Sequence, residues 1–389
     1  MGIDVEKARA DTAGCEQVVH FNNAGASLPP RPVMDAVVRY LRMEERLGGY
    51  EVEAAEWGRL EHAYEALARL VGAGPDEIAV VENATRAWDM AFYSLRWKEG
   101  DRVLTTAAEY ASNVIPFLQI ARRHGVRVDV VPADASGAPS VEALESMIDD
   151  RVKLIALTHV PTQGGLVSPA AEIGRVARRA GITYLLDACQ SVGQLRVDVR
   201  EIGCDLLSAT GRKFLRGPRG TGFLYCSRRI LDSLEPPFLD LHAAPWTSAG
   251  SYTVRDDARR FESWEGYRAG KIGLAVAADY ACDLGLDAIE ERITGLGEGL
   301  RERLRAVPGV SVHDQGTRRC GIVTFTVAGH DSADVVALLR ERGINVSVSR
   351  PGSARWDFEA RGLPPMVRAS VHYYNTEDEL DRLCAALPA

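Results

Sequence analysis

The sequence predicts an α/β protein: a large domain on a mainly parallel, seven-stranded sheet, then a smaller C-terminal α+β domain. From about residue 70 to 225, short apolar runs alternate with helical patterns. Several runs are nearly continuous Val, Leu and Ile, as expected for strands that helices cover on both faces. Strands and helices that alternate in this way form parallel sheets with crossover helices.

The seven runs predicted to form this sheet are residues 77–81, 102–106, 126–131, 153–159, 182–187, 205–210 and 222–225. The segments between them have apolar residues at helical spacing. The clearest predicted helices there are residues 84–95, 113–123, 141–148 and 169–180.

The C-terminal part mixes short strands with helices, which is typical of an α+β domain. A loop-rich stretch, about 236–265, separates it from the large domain. Its predicted helices are 269–284, 288–306, 332–342 and 376–387, and its predicted strands are 310–313, 321–327, 345–348 and 366–372.

The N-terminal end is predicted to be an arm that packs on either domain. Pro29 and Pro30 precede an amphipathic helix with Val33, Val37 and Leu41 on its apolar face. The predicted division is therefore an arm (1–30), a large cofactor-binding domain (31–265) and a small domain (266–389).

Composition excludes several classes of protein. The 389 residues are 46% hydrophobic and 26% charged, with a net charge of −8, which excludes a disordered chain, a rod and a globally basic nucleic-acid binder. The N-terminus has no apolar signal segment, and no apolar run approaches the roughly 18 residues of a membrane span. Seven scattered cysteines without a CxxC pair predict reduced thiols, a cytoplasmic location and no metal site.

Two predicted strands end in residues that can carry chemistry. Asp187 ends one strand, and Lys213 follows the end of the next. Because the carboxyl ends of parallel strands face the ligand crevice, both residues are expected in one site. The chain has 46 lysines and arginines, and only five of them are lysines. Because arginine is used for most positive charges, a lysine at this position indicates a need for an amine that can lose its proton. The alternative is that Asp187 caps a helix and Lys213 is solvated.

Several segments, in this order and spacing, resemble the class V aminotransferase family. This family comprises fold-type-I pyridoxal-phosphate enzymes and includes cysteine desulfurases and isopenicillin N epimerase. The resemblance covers nearly the whole chain and runs through Phe21-Asn22-Asn23-Ala24-Gly25, residues 187–190 and 210–213, Gly217-Pro218-Arg219-Gly220, Val367-Arg368-Ala369-Ser370 and Tyr374-Asn375-Thr376.

The resemblance implies pyridoxal 5'-phosphate as cofactor and a homodimer with active sites at the interface. It makes Lys213 the cofactor-bound amine and general base, and Asp187 the acid partner of the ring nitrogen. Gln190 matches the residue that hydrogen-bonds the ring hydroxyl. Tyr110 stands where relatives stack a histidine on the ring, and Thr162 stands where they have an asparagine near the ring hydroxyl.

The phosphate is expected where a strand opens into a helix, because free N–H groups there suit an anion. The residues implied are Asn83, Ala84, Thr85, Thr210 and Arg212, with Arg268 reaching across the dimer. For Asn83 and Thr85, helix capping alone is the alternative. For Arg268 it is a surface salt bridge.

The partner is expected to be a small-molecule amino-acid substrate. Arg368 matches the family arginine that grips its carboxylate, since a planar fork of donors suits that group. The alternative is that Arg368 pairs with an acid of the small domain. Asn23 and Arg350 are the other predicted substrate contacts.

The predicted reaction rests on a missing residue. Cysteine desulfurases carry a nucleophilic cysteine on the loop before this arginine, and residues 350–358 contain none. We therefore expect a carbon–sulfur lyase of secondary metabolism, which would cleave an S-substituted cysteine by β-elimination to a thiol, pyruvate and ammonia. The alternatives are an aminotransferase, an epimerase or a decarboxylating oxidative deaminase. A desulfurase or a catalytically idle homologue is less favoured.

Overall fold

The computed structural model describes residues 2–388. Its helices, in chain order, are α1 (Val5–Ala10), α2 (Arg31–Leu47), α3 (Gly49–Ala55), α4 (Trp57–Val71), α5 (Ala84–Tyr93), α6 (Ala111–His124), α7 (Val141–Ser146), α8 (Ala170–Ala180), α9 (Val199–Ile202), α10 (Arg228–Leu231), α11 (Arg268–Leu284), α12 (Leu286–Ala306), α13 (Ser332–Glu341), α14 (Arg355–Arg361) and α15 (Glu377–Ala385). Short 3-10 helices lie at Ala13–Glu16, Pro75–Glu77, Ala258–Phe261 and Pro351–Ser353.

The strands are β1 (Val19–His20), β2 (Ile78–Val81), β3 (Arg102–Thr106), β4 (Arg127–Val131), β5 (Val152–Thr158), β6 (Thr183–Asp187), β7 (Leu206–Thr210), β8 (Gly222–Cys226), β9 (Trp246–Ser248), β10 (Ser251–Tyr252), β11 (Val310–Val312), β12 (Ile322–Val327), β13 (Ile344–Asn345), β14 (Ser347–Ser349) and β15 (Met366–Ser370). Seven of them form the main sheet in the order β2-β8-β7-β6-β5-β3-β4.

The main sheet confirms the predicted fold class. Its strands run parallel except β8, which is antiparallel to both of its neighbours. The central strands β5, β6 and β7 are almost wholly buried. Helices cover both faces of the sheet, and the Leu, Ile and Ala side chains of these strands pack against them on both faces. As a result β6 and β7 end side by side, which places their last residues and the loops that follow at one edge of the sheet.

The C-terminal part contains a four-stranded antiparallel sheet in the order β11-β12-β15-β14. Strand β15, which carries Arg368, is central in it and pairs with β12 and β14. The N-terminal arm joins this part, because β1 pairs in parallel with β13. The domain boundaries themselves remain a prediction.

Some local expectations were wrong. In α2, Val33 and Val37 are buried, but Leu41 is 42% exposed, so the buried face is shorter than predicted. The stretch predicted to be loop-rich also contains a short hairpin, β9 and β10, and a 3-10 helix. The sequence did not predict helices α1, α3, α4, α9, α10 and α14.

Within residues 2–388, no helix combines the length and the apolar character needed to cross a lipid bilayer.

Candidate active site

Asp187 and Lys213 lie at the ends of neighbouring strands, as the sequence predicts. Asp187 is the last residue of β6 and pairs in register with Ser208 of β7, and Lys213 follows β7 by three residues. Both are buried, with Lys213 only 8% exposed. The alternative of a solvated lysine is therefore excluded.

The Asp187 carboxylate is held by donors. Its Oδ2 accepts a hydrogen bond from Asn113 Nδ2 at 2.9 Å, and its Oδ1 accepts one from the Cys189 backbone N–H at 2.8 Å. Burial raises the pKa of Asp187, while these hydrogen bonds and the nearby Lys213 charge lower it in part. A carboxylate in this setting favours a cationic N–H partner, such as a protonated ring nitrogen.

A second buried acid, Glu109, lies behind Asp187 and was missed by the sequence reasoning. Its carboxylate accepts hydrogen bonds from the Thr158 N–H and hydroxyl, both at 2.7 Å, and from Asn113 Nδ2 at 3.2 Å. Asn113 thus donates to both acids, and Glu109 orients the amide that holds Asp187. Burial raises the pKa of Glu109 to about 7. The sequence signal that could have identified Glu109 is its position next to Tyr110, a predicted cofactor contact.

Cys189, which the sequence predicts only as one of seven reduced thiols, lies in the site. Its thiol lies close enough to the Lys213 amine for the amine to lower the thiol pKa in part. Burial raises the pKa of Cys189, so the thiol stays protonated beside the amine. The signal that could have identified it is its place two residues after Asp187, between two predicted cofactor contacts.

The expected phosphate site lies at the first turn of α5. Asn83 is its N-cap, and the Asn83 side chain accepts a hydrogen bond from the Arg86 N–H at 2.9 Å. Gly222 permits the close approach of β8, because a Cβ there would come within 2.7 Å of the Asn83 backbone. Thr85 is exposed on this turn. The remaining N–H groups of the first turn suit an anion.

Thr210 and Arg212, also expected at the phosphate, contact their own chain. The Thr210 hydroxyl donates to the Thr221 carbonyl at 3.3 Å, and Arg212 donates to the Gly25 carbonyl.

Arg368 is placed to bind an anion from outside the chain. Its Nη1 donates to the Thr162 carbonyl at 3.0 Å and to the Thr162 hydroxyl at 2.7 Å, while its buried Nε has no partner. Burial lowers the pKa of Arg368 to about 10. In residues 2–388 no carboxylate forms an ion pair with it, so the alternative of a small-domain acid finds no support.

Thr162 links the expected cofactor contact Gln190 to the expected substrate contact Arg368. Its hydroxyl accepts a hydrogen bond from Gln190 Nε2 at 3.3 Å as well as the one from Arg368. The Gln190 Oε1 atom is buried without a partner. Thr162 therefore orients the expected carboxylate-binding arginine in addition to lying near the predicted ring contact.

Three other predicted residues have varied surroundings. Tyr110 precedes α6 and is 37% exposed. It lies near enough to Arg368 to raise the pKa of that guanidinium in part. Arg350 is exposed. Arg268 donates to Glu53 at 2.8 Å, which is the salt bridge held as its alternative.

Asn23 does not present a free donor to a substrate. It is fully buried, its Nδ2 donates to the Ser370 carbonyl at 2.6 Å, and its Oδ1 accepts from the Tyr374 hydroxyl at 2.5 Å. These contacts join the arm to β15, so its role here is structural.

These residues fit pyridoxal phosphate. The buried Lys213 amine can bond its aldehyde, Asp187 can hold its ring nitrogen, the first turn of α5 can take its phosphate, and the unpartnered Gln190 Oε1 leaves an amide available for a ring substituent. Arg368 leaves a buried donor for a carboxylate.

Comparison with known proteins agrees with this assignment. The sequence profile of the family described as "Aminotransferase class-V" matches residues 19–383. A "Probable cysteine desulfurase" of Methanothermobacter thermautotrophicus is 32% identical over 386 residues, which covers 97% of this chain and 96% of that protein. One of Xylella fastidiosa is 32% identical over 402 residues, covering 99% and 95%.

A solved structure shares the whole architecture. The apo structure of a cysteine desulfurase from Thermococcus onnurineus superimposes with a TM-score of 0.92 at 28% identity, covering 99% of this chain and 97% of that one. The similarity therefore includes both sheets.

Proposed function

The chain belongs to the aminotransferase class-V family and is a pyridoxal-phosphate-dependent enzyme; from this premise we propose that it is a cysteine desulfurase. Such an enzyme breaks the Cβ–Sγ bond of free cysteine and leaves alanine. Support comes from relatives of that name that match along nearly the full chain.

The expected lyase for S-substituted cysteines was wrong. It rested on the missing cysteine between residues 350 and 358, whereas several relatives aligned along 95% or more of this chain are named cysteine desulfurases. The match along the rest of the sequence outweighs the difference in that one segment.

The observation that carries the proposal within this chain is the set of buried charges at one edge of the sheet. Asp187 and Lys213 are buried beside each other, and Arg368 has an unused donor and no acidic partner in the described part of the chain. An amine, a guanidinium and a carboxylate arranged in this way suit an amino acid joined to an electron-withdrawing ring.

The chain's own residues have distinct tasks in this reaction. When bound, pyridoxal phosphate supplies a ring that stabilises negative charge next to the substrate Cα. Arg368 binds the cysteine carboxylate, and Thr162 keeps its guanidinium in place. Lys213 Nζ takes the Cα proton and holds it within the buried site. Asp187 keeps a proton on the ring nitrogen, and Asn113 orients that carboxylate.

We further propose a cytoplasmic homodimer. The exposed apolar side chains Met34, Val38 and Leu41 lie on one face of α2, which is the kind of surface that a second copy covers. All seven cysteines are free, in keeping with a reducing compartment.

The test uses the protein loaded with pyridoxal phosphate, L-cysteine and a reductant. The proposal expects alanine and sulfide in equal amounts. Pyruvate and ammonia in place of alanine would indicate elimination, and conversion of the cofactor to its pyridoxamine form would indicate transamination. Either outcome would overturn the proposal. L-Serine, which carries no sulfur, is the matched control substrate and should give no alanine.

The Arg368→Lys variant is expected to raise the KM for cysteine by roughly 10- to 100-fold, with a smaller effect on kcat. Lysine keeps the charge but cannot present two parallel donors to a carboxylate, and such a bond is worth roughly 1.5–3 kcal/mol. Steady-state alanine production at several cysteine concentrations measures it. The control is Arg340→Lys, an exposed arginine on α13. An unchanged KM would remove Arg368 from the substrate site.

A further inference from the structure

The segment before the Arg368 strand differs from a mobile, thiol-bearing loop. Residues 350–361 form a 3-10 turn, Pro351–Ser353, and then α14. The segment contains no cysteine. Its first turn contacts α6, the helix that Tyr110 precedes.

Apolar contacts fix α14 on both sides. Trp356 packs against the apolar cluster on one face of the main sheet, which includes Phe117 of α6. Phe358 and Ala354 form a small buried cluster with Met366 at the start of β15. The helix therefore bridges the main sheet and the C-terminal sheet.

A buried acid ties α14 to the substrate edge. Asp357 is 8% exposed and accepts hydrogen bonds from Gln163 Nε2 at 2.9 Å and from Arg361 Nη1 at 3.3 Å. Gln163 directly follows Thr162, which holds Arg368. Moving α14 would break the Asp357–Gln163 bond and disturb the loop that orients Arg368. The contacts make α14 a fixed wall beside this loop.

The cysteines elsewhere do not replace a mobile thiol. Cys204, Cys226 and Cys320 are buried, and burial raises the pKa of each of these thiols. Cys189 contacts Lys213, but its backbone N–H is bonded to Asp187, which holds it at the end of β6. The other three thiols, Cys15, Cys282 and Cys384, lie in the 3-10 helix Ala13–Glu16, in α11 and in α15. No cysteine lies on the segment between β14 and β15 that precedes Arg368.

We propose that the sulfur acceptor is a small-molecule thiol that enters the site, and that the sulfur leaves as a small persulfide rather than on a cysteine of this chain. This inference rests on the proposed desulfurase function. The acceptor thiolate attacks the substrate Sγ, so that a new S–S bond forms and the Cβ–Sγ bond breaks. The bonding electron pair stays on Cβ, which takes up a proton in place of the one the acceptor lost. Cysteine and the thiol thus give alanine and the persulfide without any added oxidant or reductant.

A single-turnover experiment tests the acceptor. The loaded enzyme is held in excess over L-cysteine, with and without 2-mercaptoethanol as the small thiol. Alanine and alkylated small persulfide are quantified, and the mass of each cysteine-containing peptide is measured. The expected result is alanine only with the added thiol, in proportion to its concentration, with an equal amount of small persulfide.

The outcomes separate the two proposals. Alanine formed without the thiol, with one extra sulfur atom on Cys189 or another cysteine, would overturn this inference and leave the desulfurase function intact. Pyruvate in place of alanine under both conditions would instead overturn the function. Equal rates of alanine formation at all thiol concentrations would also contradict a small-molecule acceptor.

Hydrogen exchange tests the fixed wall independently of turnover. Asp357→Ala is expected to speed exchange of the α14 amides and to raise the KM for cysteine, because Gln163 loses its partner. Glu359→Ala, an exposed position on the same helix, is the matched control and should change neither. If the α14 amides of the unaltered protein exchange as fast as those of exposed loops, the helix is not a wall.

Discussion

Replacing Lys213 by alanine is expected to abolish alanine formation from cysteine, with a loss of roughly 10³-fold or more. The side chain is buried at the end of β7, beside Asp187 and Cys189. Among residues 2–388, Lys213 is the one lysine that acts on the Asp187 carboxylate, so no second amine is placed there to bond the cofactor or take the Cα proton. The absorbance band of the lysine-bound cofactor should also be lost, while pyridoxal phosphate added to the variant should still bind weakly at α5.

The control and the contrary outcome for this variant are both direct. Lys98→Ala changes an exposed lysine and should keep the absorbance band and the activity. Borohydride reduction of the loaded wild-type protein, followed by peptide mapping, should label Lys213. Labelling of another lysine, or an unchanged band in Lys213→Ala, would refute the assignment.

The Asp187→Asn variant is expected to keep the lysine-bound absorbance band but to lose activity by roughly 10³-fold, a loss of about 4 kcal/mol of transition-state stabilisation. An amide cannot hold a proton on the ring nitrogen, so the ring withdraws electrons less strongly. The new NH₂ group also faces the Asn113 donor that now bonds Asp187. Absorbance titration with pyridoxal phosphate and steady-state alanine production together measure the two effects.

Asp205→Asn is the matched control for this variant. Asp205 is also buried, and burial raises its pKa as well, but it precedes β7 at the end of the strand away from Lys213. Its loss should lower the melting temperature through the bonds to Tyr184 and Arg229. The amount of alanine formed per loaded site should not change. Equal losses in the two variants would mean that Asp187 acts only through stability.

The positions of Asp187 and Lys213 were predictable because they depend on the local pattern of apolar residues along the chain. Asp187 ends an apolar run, and Lys213 follows another, so a parallel sheet must bring the two strand ends to one edge. The junction where the phosphate is expected was predictable for a similar reason, since Asn83 stands where a strand passes into a helix. Arg368 was predicted as a substrate contact only from the family resemblance. The pattern of apolar residues predicts that it lies on a strand but not that the strand reaches the site.

The contacts that orient these residues were not predictable. Glu109 reaches Asp187 through Asn113, and Asp357 reaches Gln163 across nearly 200 residues of sequence. Such hydrogen bonds depend on how the two sheets pack against each other, and they produce no periodic pattern in the sequence from which they could be predicted. Asn23 looked like a substrate contact because it lies in a family segment, but the packing of the arm on β15 uses its amide.

The sequence by itself determined the main sheet and the placement of an acid and an amine at its edge, because apolar runs and strand order are local properties that constrain topology. The tertiary structure decided which side chains hold that acid, that Cys189 faces Lys213, and that α14 is a wall instead of a mobile loop. These features depend on the burial of Asp187, Lys213 and Asp357 between elements far apart in sequence, where each buried charge must find a partner.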